Sequence, residues 1–461
     1  IIVDNIDIFY LCKLLIFLRT YFIILQKKYY NLNINVYNYL KFDKYLYLII
    51  IKTMSKNISI ELLSSKNQNS IEFDIKGTSD EGLNVSIVNG IRRTLLSTIP
   101  TVGFRTEIDD SNIIIQKNTT SLHNEFLLHR ISLIPLYIKP EDYEKQYLFY
   151  LNVKNTSEPI KTITAKDIDI FPLKKNVDPN LIEEIKLENY DMLQPLNESQ
   201  KKKIFRPFDF KGNDEYCLLT ELKSTNSSIV QELILYGVPT VSYAKENSRW
   251  QAVSCAAYSF KKNDDLFNKV VRDKIVVENI SDEKKDDFAK ELFIKESERY
   301  FYRDKNAQPF WYSFKLDSVH FHNSKNLFIK ACELIISQLE LINKEVPKIS
   351  TGEDSIISFK EKNENVFVIT INGYDDTIGN IIQSNLSQSI TETSVLLTCG
   401  YKKRHPLNEY VDFYVSLNPD NKIFDSANDQ KIIAMIQSFQ EACGNLIECY
   451  SVIKKQAEDN L

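Results

Sequence analysis

The segment Leu83–Pro100, LNVSIVNGIRRTLLSTIP, predicts the helix from which the rest of the fold can be worked out. Its apolar residues recur every three or four positions, as on one helix face: Val85, Val88, Ile91, Leu95 and Ile99. Arg92 and Arg93 add two adjacent cations, and Pro100 ends the helix because its ring blocks the hydrogen-bond ladder. Periodicity alone predicts only a packed amphipathic helix with a solvated charged side.

A second version of this segment lies near the C-terminus, at Asp375–Ile390, DDTIGNIIQSNLSQSI. A shift of 291 residues places Ser86 on Thr377, the predicted N-cap of the second helix. The same shift matches five further pairs: Ile87 with Ile378, Asn89 with Asn380, Ile91 with Ile382, Leu95 with Leu386, and Ile99 with Ile390. Two alternating apolar and polar segments, typical of half-buried strands, precede each helix.

Long helices with apolar stripes follow both versions, at Asn326–Val346 and Asn428–Lys455. Stripes of this kind pack against another helix. The repeat therefore predicts two related halves that fold against each other as a pseudo-symmetric dimer within one chain. Chance similarity between two amphipathic helices is the alternative.

The predicted fold class is α+β, with two related α/β dimerisation halves forming an intramolecular pseudo-dimer. A mostly β insertion domain interrupts the first half. The predicted boundaries are an atypical N-terminal extension at 1–53, a first dimerisation domain at 54–136 and 308–346, the insertion domain at 137–307, a linker at 347–354 and a second dimerisation domain at 355–461.

The size, charge and cysteine content of the chain limit the kinds of ligand and partner that it is expected to bind. The chain has 461 residues and is 43% hydrophobic, enough to bury more than one core. It carries 57 basic and 62 acidic residues, and this balance disfavours direct nucleic-acid binding as the main role. The seven cysteines form no CxxC pair, which disfavours a structural zinc site and is typical of reduced, intracellular thiols.

Residues 1–53 have an unusual composition, without Gly, Pro, Ala, Ser, Glu, His or Met. We expect this segment to be a conceptual translation of AT-rich sequence upstream of a start at Met54, where ordinary composition begins. A membrane segment around Ile6–Leu25 is the alternative. Asp7, Lys13 and Arg19 weaken it, because a spanning helix needs about 20 mostly uncharged apolar residues.

Candidate catalytic and metal-binding residues have ordinary structural explanations. His123 and His129 are six residues apart, whereas helical zinc ligands lie at i and i+4, and His320 and His322 have no third ligand nearby. The acidic pairs Asp109–Asp110 and Asp375–Asp376 lie at turns, where carboxylates cap helices. We predict no catalytic residues, no metal and no cofactor.

Several motifs resemble known polymerase subunits. The sequences NGIRRTLLSTIPTVGF (89–104), LHNEFLLHRISLIPL (122–136), YCLLTEL (216–222) and SRWQAVSCAAYSF (248–260) resemble the third-largest subunit of eukaryotic RNA polymerase II and the archaeal D subunit, relatives of bacterial alpha. DDTIGNIIQSNL (375–386) and CGYKKRHPL (399–407) resemble the small eleventh subunit and archaeal L. These are separate proteins in cellular polymerases. Here they are fused, as in nucleo-cytoplasmic large DNA viruses.

The resemblance implies a non-catalytic assembly platform for a DNA-directed RNA polymerase. Its expected partners are the second-largest and largest subunits and small accessory subunits, with DNA met only through the complex and no membrane or small-molecule substrate. By position, Arg92 and Arg93 match the family's double arginine, implicated in large-subunit docking, and His129 and Arg130 match the turn that follows. The expected location is intracellular: virion and host cytoplasm for a viral protein, the nucleus otherwise.

The resemblance and the repeat together predict an internal dimer interface. Its expected members are apolar residues of the four helices: Val88, Ile91, Leu95, Ile99, Ile335, Ile342, Ile378, Ile382, Leu386, Ile436, Phe439, Leu446 and Tyr450. The zinc-binding cysteine cluster and the iron–sulfur CxxC pattern of some relatives are missing from this sequence. Two other classes of function remain open: an enzyme with its own acid, base or metal constellation, and a stand-alone dimerisation or nucleic-acid-binding factor, whose binding would depend steeply on salt.

Overall fold

A computed structural model describes residues 56–461, except 108–109, 142, 144–146, 157–158, 174–193, 224–229, 320–322, 352–354 and 364. The predictions for residues 1–53, for Asp109 and for the pair His320 and His322 fall outside the described residues.

The strands are β1 (Ser59–Asn67), β2 (Ser70–Lys76), β3 (Pro100–Gly103), β4 (Thr106–Glu107), β5 (Asp110–Ser111), β6 (Ile113–Asn118), β7 (Tyr147–Asn155), β8 (Ile160–Thr164), β9 (Asp169–Pro172), β10 (Phe208–Phe210), β11 (Asn213–Glu215), β12 (Leu218–Lys223), β13 (Gln231–Gly237), β14 (Thr240–Tyr243), β15 (Val253–Phe260), β16 (Trp311–Ser318), β17 (Ile357–Asn363), β18 (Val366–Asn372), β19 (Leu396–Lys402) and β20 (Tyr410–Leu417).

Helices and strands are mixed along the chain, in agreement with the predicted α+β class. The α-helices are α1 (Val85–Ser97), α2 (Asn124–Ser132), α3 (Glu198–Ile204), α4 (Asp264–Val277), α5 (Lys285–Glu296), α6 (Ser324–Glu345), α7 (Lys348–Thr351), α8 (Asp376–Gln388) and α9 (Asn428–Asn460). The charged segment at 264–299 supplies α4 and α5, which share a small apolar cluster of their own.

Two four-stranded antiparallel sheets have the same strand order. The first sheet runs β1-β2-β16-β15 and the second runs β17-β18-β20-β19. In each, a hairpin leads into a 13-residue helix, and a long helix follows the last strand. Helices α1 and α8 begin and end 291 residues apart, the shift that the sequence repeat predicted.

The N-caps of the two short helices also correspond. The side chain of Asn84 accepts a hydrogen bond from the Ile87 amide at 3.1 Å, and that of Asp375 accepts one from the Thr377 amide at 2.9 Å. Each side chain satisfies an amide that the first helical turn leaves without a partner. The prediction of Thr377 as the N-cap was therefore wrong, because Asp375 supplies the cap and Thr377 lies in the first turn.

One hydrophobic core joins both sheets with α1, α6, α8 and α9. All thirteen residues of the predicted internal interface are buried in it. Aromatic rings fill its two ends: Phe73 stacks on Phe314 with centroids 5.3 Å apart, and Phe413 meets Phe439 edge to face at 5.5 Å. Helices α6 and α9 pack together along this core, as their stripes predicted.

A second hydrophobic core lies under a third sheet, ordered β6-β13-β7-β9. Segments at 102–104 and 113–136, predicted within the first dimerisation domain, contribute Val102, Phe104 and Leu127 to this second core. Conversely, β15 falls inside the predicted insertion range 137–307 but pairs with β16 in the first sheet. The structure differs from the predicted boundaries because an alternating pattern identifies a strand without specifying its neighbour.

A buried carboxylate occupies the centre of each of the two matching sheets. Asp74 of β2 lies opposite Ser313 of β16, whose hydroxyl donates to it at 2.7 Å. In the second sheet the roles are exchanged: Thr370 of β18 donates at 2.6 Å to Asp412 of β20. Both carboxylates are 0–1% exposed.

A cation from the neighbouring edge strand also contacts each carboxylate. Lys261, just after β15, lies 3.1 Å from Asp74, and Arg404, just after β19, pairs with Asp412. Trp311 donates its indole N–H to Asp74 at 2.7 Å. A buried charge is tolerated only when it is paired and hydrogen-bonded, so these contacts hold the strands in register.

We predict that Asp412→Asn destabilises the fold by about 2 to 3 kcal/mol, since it replaces a buried carboxylate that accepts hydrogen bonds from Thr370 and Arg404. Arg404 is 56% exposed, so solvent screens its ion pair and most of the loss comes from the buried hydrogen bond. Urea unfolding measures the change. The exposed Asp420→Asn is the matched control, and equal midpoints for the two variants would contradict the prediction.

Candidate docking surface

Helices α1 and α8 approach each other closely at Gly90. A Cβ atom placed on Gly90 would lie 2.6 Å from Cδ1 of Ile381 and 2.9 Å from the hydroxyl oxygen of Tyr450. Both distances are too short for a real carbon contact. A residue without a side chain is therefore required where α1 meets α8 and α9.

Polar side chains join the two helices on either side of this point. Asn84 donates to the Ser384 hydroxyl at 3.1 Å, and the Arg93 guanidinium lies 4.0 Å from Asp375. Under the shift of 291 residues, Asn84 becomes Asp375 and Arg93 becomes Ser384. Each N-cap thus reaches the same position of the opposite helix, and reciprocal contacts of this kind are typical of a two-fold interface.

Arg92 and Arg93 are adjacent in sequence but make different contacts. Nε of Arg93 donates to the Thr377 hydroxyl at 2.9 Å, so this side chain bridges to α8 although it is 40% exposed. Nε of Arg92 donates to Asn89 of its own helix at 2.9 Å. The resemblance predicted that both arginines dock a large subunit. The structure instead ties Arg93 to the second segment and leaves Arg92 without a described contact to it.

Arg92 also lies near the end of β15. Burial raises the pKa of the Tyr258 hydroxyl, and the positive charge of Arg92 opposes that rise. The Tyr258 hydroxyl and the Arg92 guanidinium therefore interact electrostatically.

His129 and Arg130 lie elsewhere, on α2 above the second core. Both are exposed, and Arg130 donates from Nε and from a terminal nitrogen to the Leu218 carbonyl, at 3.3 and 2.9 Å. Within the described ranges, no hydrogen bond or ion pair links this pair of residues to Arg92 or Arg93. The four predicted docking residues therefore form two separate groups.

Three exposed apolar side chains were not among the predicted docking residues. Phe126 on α2 is 65% exposed, Leu133, the C-cap of α2, is 53% exposed, and Leu407, in the loop between β19 and β20, is 84% exposed. Phe126 and Leu133 lie seven positions apart, a spacing that predicts a core-facing side. Single exposed apolar residues are ordinary, but a group beside cations is typical of an interaction surface.

Several buried thiols and two of the acids at predicted turns have structural roles. Burial raises the pKa of Cys399, Cys443 and Cys449 to about 12, so these thiols stay neutral and pack as small apolar groups. Asp375 caps α8, and Asp110 pairs with Arg105 at 2.7 Å. Among the residues that the structure describes, no group of three or more His, Cys, Asp or Glu could hold a metal ion.

None of the helices in the described part of the chain is both long enough and apolar enough to cross a membrane.

Comparisons with known proteins match several subunits of DNA-directed RNA polymerases. The chain is 30% identical over 119 residues to DNA-directed RNA polymerases I and III subunit rpac1 of Dictyostelium discoideum, covering 26% of this chain and 28% of the relative. It is 24% identical over 236 residues to DNA-directed RNA polymerase II subunit RPB3 of Schizosaccharomyces pombe, covering 47% and 63%. The chain is homologous to RNA polymerase subunits.

An archaeal relative extends the set. The chain is 36% identical over 56 residues to DNA-directed RNA polymerase subunit Rpo3 of Pyrobaculum aerophilum, covering 12% of this chain and 19% of the relative. Each of these matches spans less than two thirds of the relative's length. No family model matches the sequence. The homologues are alpha-like subunits of multisubunit RNA polymerases, at weak identity.

We predict that Gly90→Val destabilises the fold by about 2 to 3 kcal/mol, because the new side chain overpacks the meeting point of α1 with Ile381 and Tyr450. The matched control is Gly444→Val on α9, where a Cβ would meet nothing within 4 Å. Urea unfolding compares the two. A Gly90→Val variant as stable as Gly444→Val would show that the close approach is unimportant.

Proposed function

We propose that this chain is a non-catalytic assembly-platform subunit of a DNA-directed RNA polymerase, in which two related segments form an intramolecular pseudo-dimer. The observation that carries the proposal is the single core shared by the two matching sheets and their four helices. Homology to polymerase subunits supports the assignment to the transcription machinery.

Three structural correspondences support the pseudo-dimer. The sheets share one strand order, α1 and α8 have equal lengths, and the carboxylate and hydroxyl partners exchange places between the sheets. In this proposal the first half comprises about residues 56–99 and 252–346, and the second comprises 355–461. The inserted region then runs from about 100 to 251, which moves the boundaries predicted from sequence.

A more specific proposal concerns the role of the second half. We assign it to the role of the small eleventh-subunit partner, fused to the alpha-like half as in the viral polymerases that the motifs resemble. Support comes from DDTIGNIIQSNL, which forms the first three turns of α8, and from CGYKKRHPL, which forms the end of β19 and the exposed loop after it.

We assign the docking of a large polymerase subunit to Arg92 rather than to Arg93. Arg93 already has partners in Thr377 and Asp375, whereas the described contact of Arg92 is to Asn89 of its own helix. A large polymerase subunit presenting carboxylates would pair with Arg92 at a partly desolvated contact. His129, Arg130 and the exposed Phe126 and Leu133 form a second docking area on α2.

We predict that Arg92→Glu leaves the chain folded but lowers its capture of the second-largest subunit at least tenfold in pull-downs. The new carboxylate would repel acidic partners, and removing one member of a desolvated charge pair costs about 2 to 5 kcal/mol. Capture equal to that of the unmodified chain would count against the docking role.

Two further variants separate docking from folding. Lys269→Glu places the same charge change on the exposed face of α4, away from α1, and should leave capture unchanged. Arg93→Glu puts a carboxylate beside Asp375 and should lower the unfolding midpoint, which Arg92→Glu should not.

The pseudo-dimer has its own test. A protease site inserted between residues 351 and 355 would separate the two halves after folding. Because they share one apolar core, we expect the two fragments to co-elute in gel filtration until denaturant is added. Separation in native buffer would contradict the proposed interface.

A further inference from the structure

The second sheet, β17-β18-β20-β19, packs one face into the shared core and turns the other face outward. Side chains alternate between the two faces along each strand. The strand register places five chemically distinctive residues on the outer face: Lys360, Lys402, Tyr410, Asp412 and Tyr414. Among the described residues of these strands, Asp412 is the only acid on that face, and it is 0% exposed.

Three exposed lysines of this face have no ion pair with any residue that the structure describes. Lys360 and Lys362 belong to β17 at one edge of the sheet, and Lys402 ends β19 at the other edge. Lys402 lies opposite Asp412 in the register, but Asp412 pairs with Arg404 instead. Because neighbouring strands are about 4.8 Å apart, the two edges are roughly 14 Å apart. Unpaired positive charge therefore lies at both edges of the face.

An aromatic ring lies between these edges. Tyr414 is half-buried on β20, and the Lys362 ammonium lies 5.1 Å from its ring centroid, on the side of β17. On the side of β19, the residue opposite Tyr414 is Gly400, where a Cβ atom would meet nothing within 4 Å. A glycine inside a strand often marks a place where another molecule approaches closely. The ring of Tyr414 thus has open space beside it.

Tyr410, the second tyrosine of this face, is held by its neighbours. Its hydroxyl accepts a hydrogen bond from the Asn408 carboxamide at 3.0 Å, and the Arg404 guanidinium lies 5.9 Å from its ring centroid. Since Arg404 also pairs with Asp412, its charge is already matched. The binding capacity of the face therefore rests on Tyr414 and the three unpaired lysines.

The matching outer face of the first sheet has its charges and its ring already partnered. Lys76 of β2 pairs with Glu61 of β1 at 3.0 Å and lies 4.0 Å from the ring centroid of Trp311. Tyr302 stacks on Trp311 with centroids 5.1 Å apart. The two sheets share a strand order, so the unpaired lysines beside an open ring are not required by the fold itself.

We propose that the outer face of the second sheet binds single-stranded nucleic acid, with a base stacked on Tyr414 and phosphates at the three unpaired lysines. Base stacking on an aromatic ring between backbone-binding cations is the usual mode of single-strand binding. An acidic polypeptide would match the lysines but supplies no regular flat group for the ring, and the bases of a duplex are already stacked.

The proposed site is a local one. The whole chain has a formal net charge of -5, so the attraction for phosphates is confined to this face. The proposal goes beyond the assembly-platform role and does not depend on it, because the lysines, the ring and the open space belong to this chain alone.

Fluorescence anisotropy tests the lysines, with the purified full chain and a labelled DNA single strand of about 15 nucleotides. The double variant Lys360→Gln, Lys402→Gln should bind about tenfold more weakly than the control Lys269→Gln, Lys284→Gln, which removes two exposed lysines from the region of α4 and α5. Each phosphate contact of a single strand contributes about 0.7 to the slope of log affinity against log salt, so the double variant should flatten that slope by about 1.4.

A second pair of variants tests the ring. Tyr414→Phe keeps the stacking surface and should keep the affinity, whereas Tyr414→Leu keeps only the apolar bulk and should lower the affinity at least fivefold. Urea unfolding midpoints identify any folding defect in either variant. The lysine variants, which change exposed side chains only, test the proposal independently of Tyr414.

Four results would overturn the proposal: no binding of the single strand, equal affinities for the lysine variant and its control, equal affinities for the Tyr414→Phe and Tyr414→Leu variants, or equal binding of a duplex of the same sequence. Polyglutamate that binds through the same lysines, where the single strand does not, would also overturn it and assign the face to an acidic polypeptide. Capture of a large subunit through Arg92 is measured separately, so the two proposals can fail independently.

Discussion

The close contact of α1 with α8 at Gly90 is the constraint on which the rest of this structure depends. Because no side chain separates the helices there, the polar ends of each can reach the other, and Asn84 and Arg93 make their contacts across the junction. The same approach lets α6 and α9 close over both sheets. One core then stabilises two segments that are distant in the sequence.

The two halves share geometry but not surface chemistry. Their buried carboxylates occupy opposite members of the central strand pair, so the register is stabilised in both sheets by the same kind of contact. On the outside, Arg92 and Arg93 of α1 correspond to Gln383 and Ser384 of α8. The matching helices therefore differ in charge at corresponding positions.

Several side chains that could carry chemistry have structural partners in this protein. Buried thiols with raised pKa values pack as apolar groups, and the acids of the described turns serve as caps or ion-pair partners. His129 and Arg130 lie on the same short helix as the exposed Phe126. These features agree with the similarity of the chain to subunits of RNA polymerases.

The sequence by itself determined the short and long helices and their repeat, because a spacing of three and four residues is a local property that survives in any tertiary context. It also identified thirteen of the apolar residues that lie in the shared core. Only the tertiary structure decided that β15 belongs to the first sheet, that residues 113–136 pack in the second core, and that Arg93 bridges to α8. Strand pairing and side-chain partners depend on residues far apart in the chain, and no local pattern encodes them.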